Sequence, residues 1–166
     1  VFLMKKTGLF FLFIVSVFIS ESCEMGKCWH GAGKYTQQNY ETGYFHGVNA
    51  HGMFDITLVQ DSIWYIELEG GDKMLRYTKI CNTDSVVKLE NSNECSFLGD
   101  YEKIKCHIHF ADKLSLTLYE PSKVTSQIPI TSNLLLVAPG DLAEVNIQLN
   151  NAHLFFYNHK TTGGSF

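Results

Sequence analysis

Lys113-Leu114-Ser115-Leu116-Thr117-Leu118-Tyr119, Asn133-Leu134-Leu135-Leu136-Val137-Ala138 and His153-Leu154-Phe155-Phe156-Tyr157-Asn158 open three apolar runs at intervals of 20 residues. Each run has the length of a strand and is too short for an ordinary helix. Residues 122–126 and 143–149 supply a second strand-like run per interval, with Pro121 and Pro139 at the corners. Two short strands and their turns in a unit of about 20 residues is the pattern of a β-solenoid, whose stacked units bury a shared apolar interior.

Upstream the chain alternates with period two. Phe54, Ile56 and Leu58 share one face of Met53-Phe54-Asp55-Ile56-Thr57-Leu58-Val59, and residues 63–68 alternate similarly beyond the polar turn Gln60-Asp61-Ser62. The pattern predicts a hairpin between these two runs. Gly70-Gly71-Asp72 breaks the second run, and Asp72 is placed to N-cap a short helical turn through Met74 and Leu75. Residues 77–81 and 86–89, joined by Asn82-Thr83-Asp84-Ser85, predict a second hairpin. Residues 103–110 put Ile104, Cys106, Ile108 and Phe110 on one face and Lys105, His107 and His109 on the other. No stretch carries the period of a long amphipathic helix, so the expected class is all-β.

Of the 166 residues, 45% are hydrophobic and 18% charged, the net charge is −4, and Arg76 is the single arginine. That balance excludes a disordered chain and a basic nucleic-acid binder held by phosphate contacts, so no nucleic acid is expected as a partner. Lys5 and Lys6 precede an apolar run over residues 9–19 in which Ser16 is the one polar residue. The run is too short to span a bilayer and reads as a signal peptide over residues 1–22, with Met4 as the expected start. Ser20-Glu21-Ser22-Cys23 resembles a loose bacterial lipoprotein cleavage box, which makes Cys23 the acylation candidate and a lipid anchor the expected membrane attachment. Ordinary secretion, with Cys23 as a thiol or half of a disulfide, is the alternative.

Residues 23–44 then form an N-terminal linker or cap, and residues 45–166 the folded domain. Cys28, Cys81, Cys95 and Cys106 remain, an even number compatible with two disulfides in any of three pairings. None of their spacings is that of a zinc knuckle.

An ordered set of segments carries a family resemblance. It comprises Cys28-Trp29 and Gly33, Phe45 and Val48, Phe54-Asp55-Ile56-Thr57-Leu58-Val59-Gln60, Ile66-Glu67-Leu68-Glu69-Gly70, Leu75, Leu89, and Asn93-Glu94-Cys95-Ser96-Phe97 with Asp100-Tyr101. In that order the set resembles the exported auto-transporter adhesins of the head GIN domain family, found in Bacteroidetes-type bacteria, from about Cys28 to the end of the chain. The resemblance implies a single-stranded right-handed β-helix, a lipoprotein signal, and Cys28 to Cys95 as the bridge, with Cys81 and Cys106 untypical. It also implies further coils beyond Phe166, so that the chain is expected to be truncated at its C-terminal end. An uncapped solenoid end exposes strand edges and invites self-association or a partner.

For chemistry, His107 and His109 share a strand face as two metal ligands would, and His51 or His153 are candidates to join them. No third ligand has a definite spacing, so solvent-facing strand histidines are the expectation, with no metal and no cofactor assigned. A polysaccharide-cleaving β-helix would need clustered carboxylates, yet Asp55, Glu67, Glu69, Asp72 and Asp141 do not repeat at the 20-residue interval. No catalytic residue is expected and the chain reads as a non-enzyme. Trp29, Tyr44, Trp64 and Tyr101 are the interaction candidates, with Tyr35, Tyr40, Tyr65 and Tyr119 of the same type, because flat rings give large contact area on sugar or protein at low entropy cost. The expected function is a lipid-anchored surface interaction or adhesion module of the bacterial cell envelope, at the outer membrane or cell surface. The alternatives are a glycan- or small-ligand-binding module and, further off, a polysaccharide-degrading β-helix enzyme.

Overall fold

Alternating apolar and polar side chains build the strands of the computed structural model, which describes residues 31–92, 103–138, 144–150 and 152–158. Among these residues the elements are β1 (Tyr35–Tyr40), β2 (Gly47–His51), β3 (Phe54–Gln60), β4 (Tyr65–Gly71), α1 (Asp72–Leu75), β5 (Thr78–Thr83), β6 (Val86–Asn91), β7 (Ile104–Phe110), β8 (Leu114–Leu118), β9 (Lys123–Ser126), β10 (Leu134–Ala138), β11 (Glu144–Asn146) and β12 (Leu154–Asn158). They assemble into two six-stranded sheets, ordered β1-β4-β7-β3-β9-β11 and β12-β10-β8-β2-β6-β5.

One apolar core is shared by the inward faces of both sheets. Phe54, Ile56 and Leu58 of β3, Ile66 and Leu68 of β4, and Ile104, Ile108 and Phe110 of β7 meet Val48 of β2, Leu89 of β6 and Leu116 of β8 there. Burying each such side chain stabilises the fold by roughly 1.5–3 kcal/mol before entropy is counted. The expected inward set of residues 103–110 is the observed one, with Lys105, His107 and His109 on the opposite face.

The single-stranded right-handed β-helix, or β-solenoid, is not what forms. Both sheets are mixed: β4 runs antiparallel to β1 and to β7, and β5 antiparallel to β6, within ladders that are otherwise parallel. The 20-residue interval does survive as parallel register, with Leu134 opposite Leu114 on one side and Leu154 on the other. That echo concerns only the last third of the chain, and alternation specifies which face a side chain takes but not the direction of the neighbouring strand. The hairpin expected of residues 53–59 and 63–68 fails for the same reason. β7 lies between β3 and β4, parallel to the first and antiparallel to the second.

The β5–β6 hairpin forms as expected, and Asp84 and Ser85 turn the chain at φ 53° and 62°. The helical turn also forms, but its N-cap is Gly71 and makes no side-chain capping bond. Asp72 instead accepts a hydrogen bond from the Lys34 amide at 2.9 Å and pairs with Arg76. Gly71 packs so closely that a Cβ there would lie 1.9 Å from the Ala32 carbonyl oxygen. Residues 23–44, expected as a linker or cap, thus carry a strand, β1, held against β4 along its whole length.

Candidate functional site

Two turns bring the aromatic candidates Tyr44 and Trp64 together. Tyr44 lies on the connection from β1 to β2, which Gly43 bends at φ 66°. Asn82 of β5 clamps that connection: its amide Nδ2 donates to the carbonyls of Thr42 at 2.8 Å and Tyr44 at 3.0 Å. Trp64 leads into β4 from the turn that follows β3. Asp61 builds this turn, accepting the Ile63 amide on Oδ1 at 2.8 Å in the manner of an Asx turn, while its own amide donates to the Phe110 carbonyl at 3.0 Å.

The Tyr44 and Trp64 rings meet edge to face, with centroids 5.3 Å apart and planes at 70°. They line an open cleft of about 540 Å³ together with Asn39, Glu41, Ser62 and Tyr65. Tyr44 is half exposed and Trp64 partly buried. The cleft therefore combines ring faces and edges with an amide, a carboxylate and a hydroxyl, a lining suited to an amphipathic ligand. Burial, and after it the charges of Asp61 and Glu67, hold the Tyr65 phenol above its ordinary pKa, so it remains a neutral hydrogen-bonding group at physiological pH.

Asp61 has a second role that the Gln60-Asp61-Ser62 turn pattern alone does not reveal. Its Oδ2 lies 2.8 Å from His109 Nδ1, and the His109 ring lies under Tyr65. Asp61 and Asn82 are the positioning residues of the cleft, and neither stands out in the sequence. An aspartate in a turn beside alternating strands is the signal that points to the first.

The remaining candidates separate. His107 and His109 do share the outward face of β7, but His51 stacks on Tyr119 on the other sheet, centroids 4.0 Å apart, and His153 is exposed beside Phe155. His107 instead faces Glu67 and Glu69 of β4, and the donor atoms of all three lie within 4.8 Å of one another. Cys81 is an exposed free thiol on β5 and Cys106 a buried free thiol on β7, so no bridge joins these two. Burial pushes the Cys106 thiol far above its ordinary pKa, which leaves it inert. Cys23, Cys28, Trp29, Cys95 and Tyr101 lie outside the described residues, and with them the acylation site and the Cys28–Cys95 bridge.

The fold has relatives among solved structures. A "putative adhesin" from Parabacteroides distasonis matches with a TM-score of 0.55 at 15% identity, over 76% of this chain and 58% of that one. A "putative lipid binding protein" from the same species matches with a TM-score of 0.50 at 12% identity, over 76% of this chain and 64% of that one. The chain spans less than two thirds of either structure's length. At such identities the likeness is one of fold. No protein-family model and no curated protein matches the chain.

Proposed function

We propose that this chain is an exported, non-enzymatic surface interaction module of the adhesin type, gripping its partner through the Tyr44–Trp64 cleft. The observation that carries the reading is the convergence of two aromatic side chains from separate turns, each turn locked by its own polar residue, on one open and partly apolar cleft. The fold shared with adhesin-named proteins and the head GIN resemblance support the class, and the apolar run ahead of Cys23 supports export with a lipid anchor in the cell envelope.

Among partners, a glycan suits the lining best. Sugar rings present apolar C–H faces to aromatic rings and hydroxyls to groups such as Asn39, Glu41 and Ser62. A glycan array scored for both retention and product release tests the reading. Retention without turnover, lost in Trp64→Ala, is the expected result. Released product would sink the non-enzymatic reading, and retention unaffected by Trp64→Ala would sink the cleft. Globomycin treatment is expected to leave the precursor unprocessed, and normal maturation under the drug would refute the anchor at Cys23.

A further inference from the structure

The outward face of the first sheet carries its charges in ordered rows. Along one row, Glu69, Lys105, Asp55, Lys123 and Glu144 are successive register partners on β4, β7, β3, β9 and β11, so opposite charges alternate across the sheet. The next row departs from this. Glu67 is opposite His107, and beyond His107 come the uncharged Thr57 and Thr125. Glu67 and Glu69 project from the same face of β4 two residues apart, with His107 Nε2 3.7 Å from Glu69 Oε1. The Lys105 ammonium is turned toward the Tyr35 ring, 5.8 Å from its centroid. The Tyr35 hydroxyl donates to Glu69 Oε2, which fixes that carboxylate from behind.

We propose that Glu67, Glu69 and His107 form a binding site for a divalent first-row transition-metal ion, one donor coming from each side chain. Two carboxylates and one imidazole, all partly buried, have their donor atoms within 4.8 Å of one another on two strands whose hydrogen-bonded register holds the backbones in place. Metal–donor distances near 2.1 Å require donors about 3.4 Å apart in a tetrahedral shell, a closure that small side-chain rotations supply. The nitrogen donor and the small number of oxygens disfavour Ca²⁺ and Mg²⁺, which prefer all-oxygen shells, and favour Zn²⁺, Co²⁺ or Fe²⁺. Three protein donors leave coordination positions for water or an outside ligand. The site shares its sheet face with the cleft, since Asn39, a cleft residue, is the register partner of Glu67. The metal proposal does not depend on the cleft's ligand.

Co²⁺ titration of the untagged full chain, followed by near-ultraviolet and visible absorption, tests it. The expected result is saturable one-to-one binding without a sulfur-to-metal charge-transfer band, weakened about tenfold or more in Glu67→Gln and in His107→Asn and unchanged in His51→Asn and His153→Asn. Glu67→Gln removes a like charge beside Glu69, so its metal-free melting temperature is expected to equal or exceed that of the parent, which separates loss of a ligand from loss of fold. Three outcomes overturn the proposal: no saturable binding, meaning the cluster is a histidine–carboxylate contact only; a thiolate band, meaning the ion sits on cysteine; or an affinity equal to the parent's in Glu67→Gln and His107→Asn.

Discussion

The Tyr65 ring lies flat on the His109 imidazole, with centroids 3.8 Å apart and planes at 17°, while Asp61 Oδ2 holds the same imidazole by its Nδ1 edge at 2.8 Å. One wall of the aromatic cleft is thus braced from below by a residue of the neighbouring strand. A stacked ring pair contributes about 0.5–1.5 kcal/mol beyond burial. His109→Ala is therefore expected to weaken retention of an array-selected glycan about three- to tenfold, measured by surface plasmon resonance. Unchanged affinity would show that Tyr65 needs no brace.

On the opposite wall, Asn82 acts from β5 on a loop nearly forty residues earlier in the chain. Asn82→Ala removes two hydrogen bonds, each worth about 0.5–1.5 kcal/mol net. It is expected to raise amide exchange over residues 42–46 and to weaken ligand retention together. Faster exchange with intact retention would uncouple the loop from binding.

Asp84 and Ser85 both adopt the left-handed conformation that L side chains resist by about 1–2 kcal/mol per residue; Gly is free of that strain, and its larger unfolded-state entropy offsets part of the gain. Ser85→Gly is expected to stabilise the protein by about 0.5–1 kcal/mol in urea unfolding, with an unchanged slope. Destabilisation would mean that the hydroxyl has an unrecognised partner.

The two free thiols differ in reach. Iodoacetamide is expected to label Cys81 in the native protein and Cys106 only after unfolding. The folded state holds Cys106 protonated, so the unfolded chain releases that proton first as pH rises. The contribution is complete below the ordinary thiol pKa of about 8.5 and is lost progressively above it. Denaturation midpoints measured from pH 7 to 9.5 should decline, and Cys106→Ala should flatten the decline. An unchanged slope in that variant would assign the alkaline loss elsewhere.

Side-chain alternation made the inward residues of β3, β4, β7 and β8 legible, because each strand has one face in the core and one outside it. β1 was illegible: Tyr35-Thr36-Gln37-Gln38-Asn39-Tyr40 buries no side chain fully and joins the sheet through its backbone. The order of strands was equally silent, since Ile104 and Ile108 fit beside Phe54 and Leu58 as well as any residue of β4 would. At the site, Tyr44 and Trp64 were visible as residue types suited to binding. Asp61, Asn82 and the Glu67–Glu69–His107 cluster depend on contacts between distant segments, which no local pattern encodes.

Gly71 touches the Ala32 backbone with no room for even one more carbon. In a saturation library this position should tolerate glycine alone. Selection there would act on whether the start of the first strand can dock at all, so the strand least visible in the sequence depends on the least replaceable residue of its neighbour.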